Sequence, residues 1–137
     1  MQPPLLDTCA LIWIAEDEAL TDEAATVLDQ AFAADIPTYV SPISAWEIGV
    51  LAAREAISLS IAPQRWFARV LETPGVRLAG LSPELLIAAS FLPGAPPRDA
   101  ADRIIAATAR DLGATLVTRD RALINYGAQG HVRALGC

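Results

Sequence analysis

Short apolar runs alternate with longer segments that carry apolar residues at helical spacing. Five runs have the length and composition of buried strands: PPLLDT, TYV, VRLAGL, ATLVT and HVRAL. Between them lie segments that predict helices: ALIWIAE, DEAATVLDQAFAA, SPISAWEIGVLAAR, PQRWFARVLE, SPELLIAASFL, RDAADRIIAATARDLG and the short RALINY. Strands that alternate with helices in this way predict an α/β sandwich around a mainly parallel sheet.

Residues that start or stop helices support these boundaries. Thr21 is a suitable N-cap, and Ser41 with Pro42 suits an N-cap and a first helical position. A second Ser-Pro pair starts SPELLIAASFL, and Gly113 closes the long helix before ATLVT. The Pro-rich segment LPGAPPRD, residues 92–99, predicts a loop, whereas the pattern of AISLSI fits no single element.

Composition predicts one globular domain over residues 1–137. Hydrophobic residues make up 53% of the chain and charged residues 19%, which excludes a disordered protein. No apolar stretch approaches the ~18 residues of a membrane span, and MQPPLLD lacks the features of a signal peptide. Cys9 and Cys137 match no metal or redox spacing, so we expect a protein of the reducing cytoplasm.

The charge balance bears on nucleic-acid binding. All ten basic residues are arginine, and the formal net charge is −6. This charge excludes a protein that coats nucleic acid without regard to sequence. It leaves nucleic acid open as a substrate, because a few well-placed arginines can bind phosphates locally.

Four acids, far apart in sequence, are expected at one edge of the sheet. Asp7 ends the first strand, and Glu47 lies near the start of the helix after TYV. Asp102 begins the helix that leads down to ATLVT, and Asp120 follows the far end of that strand. The carboxyl ends of parallel strands and the N-termini of the helices that follow them share this edge, where ligands bind.

Each acid also has a simpler interpretation as a helix cap. The caps would be Asp7 before ALIWIA, Glu47 in a Ser44-x-x-Glu47 capping box, Asp102 at the third position behind Asp99, and Asp120 before RALINY. Capping is the more common role for any one of them, but independent caps need not gather at one edge. Clustered carboxylates would raise one another's pKa, and a divalent cation would remove that repulsion. Oxygen ligands of this kind suit Mg²⁺ or Mn²⁺.

The four segments that carry these acids resemble the acidic motifs of a known family. LLDTCALIW, SAWEIGVL, RDAADRIIAATA and LVTRDRALINY are similar, in order and spacing, to the motifs of PIN-domain nucleases, and most closely to VapC-type toxins of bacterial toxin–antitoxin pairs. The resemblance extends from about Leu5 to GHVRAL. It implies a PIN-like α/β/α sandwich around a parallel five-stranded sheet and a metal-dependent endoribonuclease. It also implies a homodimer that a VapB-like antitoxin inhibits, in a heterotetramer or a larger assembly.

Carried over by motif, the metal ligands would be Asp7, Glu47, Asp102 and Asp120. Asp99 is a further acid of the site, and one of the acids would accept a proton from the attacking water. Such a metal lowers the pKa of a bound water and neutralises charge on the transition state. Hydrolysis by this water, without the ribose 2′-hydroxyl as nucleophile, would leave a 5′-phosphate and a 3′-hydroxyl. The single histidine, His131, falls in the predicted last strand, which argues against a histidine-based ribonuclease.

The neighbours of the acids suggest supporting roles. Thr8 and Thr118 each stand beside a proposed ligand and could hydrogen-bond a carboxylate, a phosphate or the local backbone. Three arginines that flank acids could bind RNA phosphates or form salt bridges: Arg103, Arg119 and Arg121. Four aromatic residues are expected mainly in the core, although some could line a groove for an antitoxin helix: Trp13, Trp46, Trp66 and Phe67.

Other classes of protein share part of this pattern. A phospho-accepting receiver domain is also α/β with clustered acids, but that family uses a lysine near its site and this chain has none. A haloacid-dehalogenase-type phosphatase would have a second aspartate at position 9, which is cysteine, and the P-loop motif is absent. The strongest alternative of another class is a PIN scaffold that only binds partners.

Overall fold

Twelve elements follow one another in the predicted alternation. The computed structural model describes residues 1–137. In chain order it contains β1 (Pro4–Leu6), α1 (Thr8–Ala15), α2 (Asp22–Ala33), β2 (Thr38–Val40), α3 (Pro42–Ala53), α4 (Pro63–Glu72), β3 (Val76–Leu78), α5 (Pro83–Ser90), α6 (Ala100–Leu112), β4 (Thr115–Thr118), α7 (Arg121–Ala128) and β5 (Arg133–Gly136).

The five strands form one sheet in the order β3-β2-β1-β4-β5, and every neighbouring pair is parallel. The strand β1 is central, and its Leu5 lies opposite Tyr39 of β2 and Leu116 of β4. The predicted mainly parallel sheet is confirmed, with no antiparallel strand. The carboxyl ends of β1 and β4 therefore meet at the middle of one edge.

Alternate side chains of the central strands face two hydrophobic layers. Leu6 and Val117 pack with residues from α1, α2 and α4, and Leu5 and Leu116 pack with residues from α6 and α7. The helix α5 packs on α6 through a smaller cluster around Leu85. Helices thus cover both faces of the sheet, which confirms the predicted three-layer sandwich.

Some boundaries differ from the predicted ones. The first strand ends at Leu6 because Asp7 caps α1 and Thr8 is already helical. The third strand ends at Leu78 rather than continuing through AGL, residues 79–81. The last strand starts at Arg133, so the prediction that places His131 in a strand is wrong. The imidazole ring of His131 instead lies 5.3 Å from the Tyr126 ring.

Only one of the aromatic residues expected in the core is fully buried. Trp66 is buried, whereas the side chains of Trp13 and Phe67 are half-buried. Trp46 is 63% exposed, so its assignment to the core is wrong. The buried face of α3 is formed by Ser44 and its neighbour one turn later, Ile48. A residue midway between them points to the opposite side of a helix.

The ambiguous segment AISLSI forms neither a helix nor a strand. Its alternate residues Ile57, Leu59 and Ile61 nevertheless pack against the cluster formed by α1, α2 and α4. This explains the mixed pattern, because the segment has alternating burial without a strand to pair with.

None of the helices combines the length and the hydropathy needed to cross a membrane.

Four helices end in the same motif, with a residue in the left-handed conformation after the last turn. These residues are Asp17, Asp35, Glu55 and Gly113, with φ of 58°, 59°, 57° and 62°. At the end of α3, the Ala56 N–H donates to the Leu51 carbonyl (2.9 Å) and the Glu55 N–H to the Ala52 carbonyl (3.0 Å). This is a Schellman ending, at which glycine is favoured.

We expect Glu55→Gly to raise the free energy of unfolding by about 0.5–1 kcal/mol, because glycine avoids the Cβ clash of the left-handed region. Urea denaturation would measure this change in the free energy of unfolding. Glu55→Ala is the matched control, since it removes the carboxylate and keeps the Cβ, and it should gain much less. Equal gains from both variants would assign the effect to the carboxylate at the helix C-terminus instead.

Candidate active site

Asp7 lies where β1 ends and α1 begins, and it is only 3% exposed. One carboxylate oxygen accepts the Ala10 N–H (2.7 Å), and the other accepts the hydroxyl hydrogen of Thr118. The backbone N–H of Asp7 donates to the Val117 carbonyl at 3.1 Å. Asp7 therefore caps α1 and also joins the ends of the two central strands.

Thr118 links a second acid to the same place. Its buried hydroxyl accepts the backbone N–H of Asp120 at 2.9 Å while it donates to Asp7. Asp120 caps α7, because its carboxylate accepts the Leu123 N–H at 3.1 Å. A single hydroxyl thus fixes the spacing between the two acids at the ends of β1 and β4.

Glu47 is oriented by two hydroxyls in series. The Thr8 hydroxyl donates to a Glu47 carboxylate oxygen, and it lies 2.8 Å from the Ser44 hydroxyl oxygen. A hydroxyl has one hydrogen to donate, so Ser44 must be the donor to Thr8. The order of donation is Ser44 to Thr8 to Glu47, and both hydroxyl residues are buried.

The alternative interpretation of Ser44 and Glu47 as a capping box is wrong. The cap of α3 is Ser41, whose hydroxyl accepts the Ile43 N–H at 3.1 Å. Ser44 lies inside the helix and was not predicted as a site residue. Its position three residues before Glu47, on the same helical face, was the available signal.

Asp99 and Asp102 open α6. The Asp99 carboxylate accepts the Asp102 N–H at 3.0 Å, so Asp99 is the N-cap. Asp99 is exposed and Asp102 is half-buried. The helix runs from these acids down to Gly113 and then to β4, so its N-terminus reaches the same sheet edge as Asp7.

The shifted pKa values show that the acids act on one another. Burial, and then the charges of Asp120, Asp99, Glu47 and Asp7, raise the pKa of Asp102 to about 7. Burial also raises the pKa of Asp7 to about 6, against the hydrogen bonds from Thr118 and Ala10. The pKa of Glu47 is raised chiefly by burial, with added repulsion from Asp99 and Asp120. The structure therefore brings all five predicted acids into one electrostatic cluster.

Cys9 lies beside the same cluster, although its sequence position gave no sign of a role. Burial, followed by the charges of Asp7, Glu47, Asp120 and Asp102, raises the pKa of its thiol to about 11. The thiol therefore stays protonated at neutral pH, which does not favour a nucleophilic role.

The flanking arginines differ from one another. Arg119 is exposed, and its guanidinium carbon lies 3.8 Å from the centre of the Trp13 ring. Arg121 is exposed at the first position of α7. Arg103, in contrast, donates from all three guanidinium nitrogens to backbone carbonyls of residues 89, 90 and 97. It is not directed at a neighbouring carboxylate.

The donor set of the cluster consists of carboxylate and hydroxyl oxygens, which suits a hard cation. No three acidic, histidine or cysteine side chains are close enough together to surround one ion by themselves. Mg²⁺ keeps several of its waters and is bound directly by one or two carboxylates. The residues present therefore fit Mg²⁺ or Mn²⁺ bound through a few direct ligands and through water.

Comparison with known proteins agrees with this geometry. The PIN domain profile matches residues 5–129. Ribonuclease VapC22 of Mycobacterium tuberculosis (strain ATCC 25618 / H37Rv) is 37% identical over 127 residues, which cover 92% of this chain and 93% of that protein. The chain therefore belongs to the PIN-domain family. The family and the VapC resemblance that the four motifs indicated are both confirmed.

Solved structures share the fold at low sequence identity. The chain superposes on VapBC2 from Rickettsia felis, bound to a DNA fragment from their promoter, with a TM-score of 0.68 and 15% identity over 98% of each chain. It superposes on DNA-bound VapBC from Salmonella typhimurium with a TM-score of 0.59 and 19% identity, covering 99% of this chain and 98% of the other. FitAcB from Neisseria gonorrhoeae gives a TM-score of 0.54 and 21% identity over 96% of each chain.

The raised pKa values predict how stability depends on pH without metal. Between pH 4 and pH 7, folded Asp7 and Asp102 hold protons that the unfolded chain has lost, because their pKa values of about 6 and about 7 exceed 3.8. The contribution of Asp7 and Asp102 to the free energy of unfolding therefore falls as the pH rises through this window, and it is constant above it.

We expect Asp102→Asn to unfold at a higher temperature than the parent at pH 8 in EDTA, and the difference to shrink toward pH 4. Thermal unfolding across this pH range would measure it. Asp111→Asn, at the exposed far end of α6, is the control and should follow the parent. Parallel curves for the parent and Asp102→Asn would show that burial and the neighbouring charges do not raise the pKa of Asp102.

Proposed function

We propose that the protein is a metal-dependent endoribonuclease toxin of the VapC type, formed by a single domain over residues 1–137. The observation that carries the proposal is the convergence of five carboxylates at the carboxyl edge of the sheet, with the pKa of Asp102 raised to about 7. The identity of 37% to a protein named Ribonuclease VapC22 supports RNA as the substrate.

In this proposal Asp7, Glu47, Asp102 and Asp120 hold Mg²⁺ or Mn²⁺, some of them directly and the others through water. When bound, such an ion supplies an activated water and neutralises charge during phosphodiester hydrolysis. The hydroxyls of Thr118 and Thr8 keep Asp7 and Glu47 in fixed orientations through the hydrogen bonds described above.

Asp99 is suited to accept the proton of the attacking water. Its carboxylate uses one oxygen to cap α6, which leaves the other oxygen free on the exposed side of the cluster. Attack by water, rather than by the ribose 2′-hydroxyl, leaves a 5′-phosphate and a 3′-hydroxyl. Exposed arginines beside the acids would bind phosphates of the RNA: Arg98, Arg119 and Arg121.

We further propose that a VapB-like antitoxin inhibits the protein in the cytoplasm, and that the protein forms a homodimer and larger complexes with this partner. The structural relatives named VapBC support this partner. Several large apolar side chains are also mostly exposed, as is common at association surfaces: Phe32, Trp46, Ile87 and Phe91.

Purified protein should cleave RNA in Mg²⁺ or Mn²⁺ and lose this activity in EDTA. We expect Asp102→Asn to lower cleavage by more than about 100-fold, a loss typical of removing transition-state stabilisation, while its folded state stays intact. Asp111→Asn is the matched control and should cleave like the parent. Full activity of Asp102→Asn, or of the parent in excess EDTA, would contradict the proposal. A folded parent that never cleaves would favour the scaffold alternative.

Expression in bacteria tests the toxin role separately. The protein should stop growth when it is expressed alone and be tolerated with the product of a short neighbouring antitoxin gene. Asp102→Asn should be harmless at equal abundance, because toxicity requires cleavage. Growth of cells that hold abundant, folded and active parent protein would leave a nuclease that is not a toxin.

A further inference from the structure

The Pro-rich segment between α5 and α6 is held by side chains from two helices. From α7, the Tyr126 hydroxyl donates to the Pro93 carbonyl (2.6 Å). Gln129, just beyond α7, exchanges two hydrogen bonds with the Ala95 backbone, at 2.9 and 3.0 Å. From α6, Arg103 reaches the Pro97 carbonyl. A segment without regular secondary structure thus connects α6, which Asp99 caps, to α7.

Arg103 makes the most extensive of these contacts. Its Nε donates to the Ala89 carbonyl (3.0 Å), one Nη to the Ser90 carbonyl (3.2 Å) and the other Nη to the Pro97 carbonyl (3.2 Å). The first two carbonyls belong to the last turn of α5, where no helical partner remains for them. The planar guanidinium therefore joins the end of α5 to the buried Pro97, two residues before α6 is capped.

Arg103 is connected to the acidic cluster through backbone hydrogen bonds in the first turn of α6. Its backbone N–H donates to the Asp99 carbonyl at 3.1 Å, and its neighbour Asp102 donates a backbone N–H to the Asp99 carboxylate. The first turn of α6 is therefore fixed from both ends, by the cap at Asp99 and by the side chain of Arg103. Arg110 on the same helix instead donates its side chain to the His131 carbonyl, and Arg119 lies over the Trp13 ring.

We propose that Arg103 is a positioning residue, which fixes the first turn of α6 and thereby sets the places of Asp99 and Asp102 in the cation site. This inference rests on the proposed metal-dependent function. Arg103 acts through geometry rather than charge. The distinction is measurable, because removing a nearby positive charge would strengthen cation binding, whereas loosening the ligand-bearing turn weakens it.

Arg103→Lys separates the two roles, because it keeps the charge and loses the three-donor fork. We expect it to bind Mn²⁺ about 10-fold more weakly by calorimetry, as is typical when a residue that supports a metal ligand is replaced. Arg103→Gln should also bind more weakly, although it removes a positive charge. Arg110→Lys is the matched control and should match the parent, since Arg110 is on the same helix and makes one carbonyl bond, to His131.

Amide hydrogen exchange without metal gives a second readout. Arg103→Lys should speed the exchange of the Asp102 and Arg103 amides and leave the β4 amides unchanged, which shows that the protein is folded. Unchanged exchange at these amides would overturn the inference, and so would Mn²⁺ affinity equal to the parent's in both variants. A parent that binds no Mn²⁺ would refute the proposed metal function, and exchange alone would then decide whether Arg103 fixes the turn.

Discussion

The hydrogen bond from the Thr118 hydroxyl to the Asp7 carboxylate connects the ends of the two central strands, and the site is built around it. A carboxylate that is only 3% exposed is unfavourable unless its oxygens are satisfied. Each oxygen of Asp7 accepts a hydrogen bond, one from the Thr118 hydroxyl and one from the N–H of Ala10. Burial still outweighs these bonds, because the pKa of Asp7 stays raised to about 6. The fold thus holds an acid in a place that favours its neutral form.

Capping and convergence are one arrangement rather than two alternatives. Asp7, Asp99 and Asp120 each cap a helix, and all three helices begin at the carboxyl edge of the sheet. A helix N-terminus favours a negative charge, so each cap lowers the free energy of placing a carboxylate at this edge. The caps therefore offset part of the repulsion that the convergence creates. Asp102 caps no helix but lies in the first turn of α6, whereas Glu47 is held by Thr8 instead of by a helix end.

The sequence predicted the sheet and the convergence because both follow from backbone rules that apply to any parallel α/β chain. Contacts between side chains distant in sequence follow no such rule. The role of the Ser44 hydroxyl depends on the packing of α1 against α3. Arg103 was expected to bind RNA phosphates or form salt bridges, and it donates to backbone carbonyls that lie far from it in sequence. Trp46 was misassigned because aromatic residues are usually buried, whereas its position on α3 faces outward.

The cluster also bears on how a chain with a net charge of −6 could bind RNA. Several of its acids lie in the cluster, where a bound cation would neutralise part of their charge. Without the cation, the raised pKa values of Asp7 and Asp102 lower the negative charge of the cluster instead. The formal charge therefore overstates the repulsion that RNA would meet at this edge. Arg119 is exposed there, and its guanidinium stacks on the Trp13 ring. Its guanidinium would lose less conformational freedom on binding a phosphate than a free side chain would, which favours local contacts over a broad basic surface.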